Sequence, residues 1–288
     1  MEIIKKSCIK IGLGIGIVMM FIGTSILPSA MATEKPGTMM TTKRSTTWTV
    51  DNEGDGNFMT IGAALENASD GDTIEVYSGT YNLTPTFPPS WGCFITKSLV
   101  LVGISHELGS GNDTGKPILT GGDVCIEKSF TNITGFYFNT TLSIGGSLAS
   151  VSNVTISHNI FEGNIGICIY GNCEQVVILR NQFHCYEWAL IFYRLTKNMN
   201  ITQNNFIDNS WLLQKFRTID YGVSKYDMRN RLHAMRELSG VFASNYWMRH
   251  RTTLPKMLRG DFESYYPPYS ERLIILFDKT PVTEPYEI

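Results

Sequence analysis

Four phenylalanines recur at a nearly fixed interval: Phe138, Phe161, Phe183 and Phe206, separated by 23, 22 and 23 residues. Five positions before each stands an isoleucine: Ile133, Ile156, Ile178 and Ile201. Two positions before the last three stands an asparagine (Asn159, Asn181, Asn204), where the first repeat has Phe136. Seven before, the same three repeats carry Val154, Val176 and Met199. Columns that hold register over four repeats mean a stack of like units, each burying its apolar side against the next. Each unit contains short β-rich runs such as Val154-Thr155-Ile156 and has no room for a helix of average length. The expected fold class is all-β: a single-stranded right-handed parallel β-helix, a solenoid with rungs of 22–23 residues.

The columns have physical roles in such a stack. An asparagine in each rung tolerates left-handed backbone and bonds locally. Rungs lie about 4.8 Å apart, so its amide can also bond along the stack. The Ile, Val and Phe columns then fill the interior. A stack leaves strand edges open at its ends. Phe58, Ile61, Ala64, Leu65 and Ala68 have helical spacing and predict an N-terminal capping helix over 58–68. Asp51-Asn52-Glu53-Gly54-Asp55-Gly56 reads as a turn, and residues 73–77 and 98–104 as strands.

The repeats set the expected domain boundaries. Lys5, Lys6 and Lys10 precede an apolar run from Ile11 to Leu27, and Ala30-Met31-Ala32 supplies small residues for cleavage. This layout predicts a signal peptide over 1–32, the alternative being an uncleaved anchor. Residues 33–47 read as a flexible leader and 48–216 as the β-helix. After Phe206 the Ile-x-x-Asn-x-Phe unit is not found again, so 217–288 reads as a non-repeat C-terminal segment. That segment, with a helical spacing over 227–238, is expected to fold back over the last rung and the outer face of the stack.

Composition narrows the function. Only 17% of residues are charged and 43% are hydrophobic, which argues against disorder. A net charge of −2 offers nothing to nucleic acid, and membrane contact is expected only if the N-terminal segment stays uncleaved. Five cysteines follow the signal (Cys93, Cys125, Cys168, Cys173, Cys185); they read as packing residues with room for one disulfide. No zinc spacing occurs, and neither a metal nor a cofactor is expected. Of seven glycosylation sequons, those at Asn67, Asn82, Asn112 and Asn139 read as turn sites.

Some stretches look familiar. Thr60-Ile61-Gly62-Ala63-Ala64-Leu65, then Asp70-Gly71-Asp72-Thr73-Ile74-Glu75-Val76, Ser78-Gly79-Thr80-Tyr81 and Ile95-Thr96-Lys97-Ser98-Leu99-Val100-Leu101-Val102-Gly103 resemble the opening of exported pectate-lyase-like β-helix proteins. The repeats, with Asn245-Tyr246-Trp247, Leu254-Pro255-Lys256 and Phe277-Asp278 near the end, resemble the NosD-type β-helix family. The resemblance implies an exported or cell-surface protein. It leaves activity open, since that superfamily holds lyases, hydrolases, carbohydrate binders and proteins without known chemistry.

The residues point away from catalysis. A lyase needs a strong base and carboxylates holding Ca²⁺, and a glycosidase needs paired carboxylates. Between Val124 and Ser210 the acids Glu127, Glu162, Glu174, Glu187 and Asp208 form no cluster by column. The expectation is an exported, non-catalytic surface protein that binds polysaccharide or envelope glycan. The alternatives are a polysaccharide lyase or glycoside hydrolase, and a structural envelope component. Candidate ligand contacts are the polar column His158, Arg180 and Gln203, and an aromatic outer strip. Counting alternation on from Ile167 and Ile169 sends Trp188, Leu190, Phe192, Trp211 and Leu213 outward and Ala189 and Ile191 inward, with Trp188 over Trp211. Were the strip covered by the tail, a groove near Arg194, Lys215 and Arg217 would remain.

Overall fold

Alternating apolar and polar residues, with β-branched side chains at the apolar positions, favour strands that bury every second side chain. The computed structural model realises this pattern in many of its described strands. It describes residues 44–83, 92–146, 150–170, 173–193, 198–207, 215–220, 241–248, 256–264, 271–278 and 280–288, with the backbone alone for 186, 215–220, 256–264 and 271–277. In Ser152–Ser157, Val154 and Ile156 are fully buried while the residues between them are partly exposed. The fold is all-β with parallel sheets and, among the described residues, one short helix. The expected signal peptide and most of the expected leader lie outside the described residues. No helix among the described residues is long and apolar enough to cross a membrane.

An eight-stranded sheet runs through Thr47–Val50, Thr73–Val76, Val100–Gly103, Thr131–Thr134, Ser152–Ser157, Glu174–Leu179, Asn200–Thr202 and Phe242–Ala243. All neighbours are parallel, and the isoleucine column pairs in order: Leu101 with Ile133, then Ile156, Ile178, Ile201 and Phe242. A thirteen-stranded sheet holds two further rows. One carries the phenylalanines at Tyr137–Phe138, Ile160–Ile169, Gln182–Tyr193, Asn205–Phe206 and Tyr246–Trp247. The other runs through Gly92–Ile95, Asp123–Ile126 and Leu142–Ile144 into the later parts of the two long strands.

The phenylalanine column forms a continuous stack. Ring centroids of Phe138–Phe161, Phe161–Phe183 and Phe183–Phe206 lie 4.8, 5.0 and 5.0 Å apart with nearly parallel planes. Trp247 extends it, 4.2 Å from Phe206.

The asparagine column is buried and saturated. Asn159, Asn181 and Asn204 are each 0% exposed. Each Oδ1 accepts the main-chain N–H of the turn before: Phe136 to Asn159 (3.0 Å), Asn159 to Asn181 (3.0 Å) and Asn181 to Asn204 (2.8 Å). Each Nδ2 donates to an isoleucine carbonyl, that of Ile133, Ile156 and Ile178 in turn. The asparagine therefore works as a rung-to-rung connector, and the left-handed corner belongs to the residue before it. Gly135, His158, Arg180, Gln203 and Ser244 all have φ between 52° and 87°. A second left-handed column holds Phe130, Asn153, Gln175 and Asn198.

Two expectations about the ends need correction. The repeat does not stop at Phe206. Phe242-Ala243-Ser244-Asn245-Tyr246-Trp247 pairs with Ile201 through Phe206, and Asn204 N donates to Asn245 Oδ1 at 3.0 Å. Aromatic residues replace the isoleucine and the phenylalanine, and 41 residues rather than 22 separate the two asparagines, which hides the unit in the sequence. Asp278 ends the ladder: its Oδ2 accepts from Asn245 N (3.0 Å), Asn245 Nδ2 (3.1 Å) and Trp247 Nε1 (3.0 Å). The last residues then bind the final turns, with Asn205 and Tyr286 exchanging two hydrogen bonds.

Nor does the described part of the tail lie across the outer face. Lys215–Asp220 and Lys256–Ser264 extend the thirteen-stranded sheet in parallel, and Glu271–Asp278 closes it antiparallel. The helix expected over 227–238 lies outside the described residues. At the other end the capping helix is shorter than expected, Ile61–Asn67, because Thr60 caps it by accepting from Ala63 N. Phe58 instead bridges to Val50 and packs on Trp48.

Candidate functional site

The polar column His158, Arg180 and Gln203 occupies the left-handed corner beside the asparagine ladder. A residue at such a corner points away from the core, so this strip meets solvent on successive rungs. Arg180 is exposed and donates from Nε to Gln203 Oε1 at 2.9 Å. His158 titrates below its ordinary range, first because it is partly buried and then because Arg180 and Lys116 lie nearby. Within the column the Arg180–Gln203 pair is joined by the Nε–Oε1 hydrogen bond.

The outer face of the thirteen-stranded sheet differs from its predicted pattern. Between Gly163 and Ile165 the pairing slips by one residue: Gly163 faces Cys185, but Ile165 faces Trp188. The extra residue in Gln182–Tyr193 is a β-bulge, and from Leu190 on the side chains exchange faces relative to the expected alternation. Leu190 and Phe192 stack on Ile167 and Ile169 in the main core, not outside. Ile191 lies over Cys168 outside, not inside. Ala189 is in the core, as expected. Trp188 is outside, as expected, in a second apolar cluster with Cys168 and Ile191, against which Ile165, Tyr170 and Tyr193 pack. Its neighbour on the following strand is Lys215, not Trp211. Arg217 follows Ile191 in the same way. Trp211, Leu213 and Arg194 lie outside the described residues.

This second cluster is not an open surface: Trp188, Cys168 and Ile191 are 7%, 4% and 3% exposed. Tyr170 and Tyr193 at its border are half-buried and stack face to face at 4.5 Å and 4°. Two hydrogen bonds, Gly145 N to Ile126 O and Tyr170 N to Ile144 O, place Glu127, Gly145, Tyr170 and Tyr193 in one outward column. Glycine there sets no side chain against the Tyr170 ring, and Glu127 is exposed one rung further on.

The five cysteines among the described residues are free thiols, so the disulfide that the sequence left room for does not form between them. Burial pushes the Cys93, Cys168 and Cys185 thiols up to about 12 and those of Cys125 and Cys173 to about 11. Thiols held this far from ionisation are packing groups rather than nucleophiles. Asn67, Asn82, Asn112 and Asn139 are all exposed.

A further group of side chains, at a place where no metal site is expected from the sequence, lies outside the repeat columns. Near the first turns, Glu53, Glu107 and Asp113 bring their carboxylate oxygens within 4.8 Å of one another. The signal was present as alternating acids in Asp51-Asn52-Glu53-Gly54-Asp55-Gly56, a stretch legible as a mere turn. Beside it, a cavity of about 880 Å³ lies between the capping helix and the strands Thr80–Asn82 and Gly92–Ile95, lined by Leu65, Tyr81, Cys93 and Lys97 among others. No family model, curated protein or solved structure matches this chain.

Proposed function

We propose that the chain is a right-handed parallel β-helix of the pectate-lyase-like, NosD-type kind, exported to the cell surface, where it binds polysaccharide or envelope glycan without cleaving it. The β-helix reading is supported by parallel pairing in which each turn meets the next at 22–23 residues in separate strand rows. Right-handed crossover is the hand that parallel connections take. The signal-like N-terminus supports export.

The observation that carries the glycan reading is the outward column Glu127–Gly145–Tyr170–Tyr193. Two phenol rings stacked in parallel offer apolar ring edges beside hydroxyls, which suits the alternating C–H and O–H groups of a pyranose. Glu127, exposed in the same column, supplies an acceptor for a sugar hydroxyl. The polar strip of His158, Arg180 and Gln203 lies on another corner and reads as a solvated turn. A glycan array probed with the full chain tests this reading, alongside Tyr170→Ala and Tyr193→Ala. Binding that both substitutions abolish supports it. Binding that neither changes removes the column from consideration. Release of ultraviolet-absorbing unsaturated products from an acidic polysaccharide would favour the lyase alternative.

A further inference from the structure

The acidic cluster at the first turns has more charge than its surroundings account for. Its two halves come from separate loops. Asp51 to Gly56 follows the strand Thr47–Val50, and Ser105 to Lys116 follows Val100–Gly103. In the second loop His106 bridges antiparallel to Thr114, which brings Glu107 and Asp113, each one residue inside that bridge, together. Ser110 N donates to Asp55 Oδ2 at 3.4 Å and joins the loops. Glycine permits the approach: a Cβ on Gly111 would lie 2.4 Å from Glu107 Cγ and 2.7 Å from Glu53 Oε2.

The second observation is buried and unpartnered. Asp51 is 0% exposed. Its Oδ2 accepts from Asp55 N at 2.8 Å, but its Oδ1 has no hydrogen-bond partner. Glu107 Oε2 and Asn52 Oδ1 are likewise buried without a partner. The Asp51 and Glu107 side chains lie close enough to interact. Buried carboxylate oxygens in a folded protein are satisfied by donors or by cations. Among the described residues the one ion pair, Lys128 with Asp70, involves none of these acids.

We infer that Asp51, Glu53, Glu107 and Asp113 form a calcium site that ties the loop after the first strand to the loop at 105–116. The donor set is oxygen only, which suits a hard cation and not zinc or copper. The acids come from irregular loops at uneven spacing, which suits the flexible six to eight ligands of Ca²⁺ better than the strict octahedron of Mg²⁺. Asp51-x-Glu53-x-Asp55-Gly56 also has the alternating acids and sixth-position glycine of calcium loops, with the remaining ligands drawn from a second loop instead of a twelfth residue. Gly56 is required there, since a Cβ would lie 2.9 Å from Asp51 N. This site is independent of the glycan reading.

The test is calcium titration of the full chain after treatment with a chelator, by calorimetry and by thermal unfolding. The expected result is one Ca²⁺ per chain, with an affinity on the order of 0.1–1 mM as in extracellular calcium modules, and a melting temperature that rises saturably. Glu107→Gln should weaken binding at least tenfold. Glu53→Gln, at an exposed position, should do the same and keeps the test decisive if the first variant folds poorly. Absence of stoichiometric binding, as two acids sharing a proton would give, overturns the inference. So does unchanged affinity in both variants, or displacement of Ca²⁺ by an equal concentration of Mg²⁺.

Discussion

Replacing Asn181 by alanine tests the ladder at its middle. The side chain is fully buried and makes five hydrogen bonds. Its Oδ1 is the acceptor for Asn159 N, and its Nδ2 donates to Ile156 O at 2.8 Å. Truncation leaves a buried main-chain N–H without an acceptor and removes a donor from a buried carbonyl. At about 1–3 kcal/mol for each such group, the loss is about 2–6 kcal/mol. The neighbours do not compensate, because Asn159 and Asn204 are occupied by their own rungs. Urea unfolding of the full chain, followed by tryptophan fluorescence, should show this as a lower midpoint. Arg180→Gly is the matched control. It sits one residue away, is exposed, and holds φ 52°, so glycine should be neutral or stabilise by up to about 1 kcal/mol. If Asn181→Ala costs less than about 1 kcal/mol, or no more than Arg180→Gly, the ladder does not hold the turns together.

Three further outcomes follow from the same geometry. Phe183→Ala, which removes the middle ring of the stack, should cost about 3–5 kcal/mol in the same unfolding experiment, and a loss below about 1 kcal/mol would mean the stack relaxes freely. The cysteines give a pH signature. Their folded thiols are raised to about 11 and 12, above the ordinary 9, so the unfolded chain releases protons first; stability should be intact below pH 9 and fall as pH rises from 9 towards 12. Substituting Cys168 and Cys173 by alanine should flatten that fall, as read by melting temperature against pH. Mass spectrometry of the protein recovered from expressing cells should show loss of about the first 32 residues, the length set by the basic, apolar and small-residue regions; recovery of intact chain in the membrane fraction would indicate an anchor.

The interior was readable from the repeat because it depends on local periodicity. Ile133, Phe138, Phe161 and their successors are buried one rung above another, since equal spacing along the chain becomes vertical alignment once rungs stack. The asparagines were readable as ladder members for the same reason, and so was the bonding of their amides along the stack. Sequence offers the asparagine as the left-handed residue of each corner. It does not show that His158, Arg180 and Gln203 take that conformation so that the asparagine behind them can turn inward.

What the sequence determined by itself was the stacking of like columns; what tertiary structure decided was everything that depends on register and distance. The bulge after Gly163 turned Leu190 and Phe192 into the core and Ile191 out of it. A side-chain period of two makes a single inserted residue reverse a face, and no periodicity announces where the insertion is absorbed. The turn at Asn245 returned after a long insertion, with Trp247 standing in for phenylalanine. The acids at 51–53 and 107–113 met because two loops close over the same corner. Periodicity is a property of neighbours along the chain, whereas a site made of two loops exists only once the chain has brought them together.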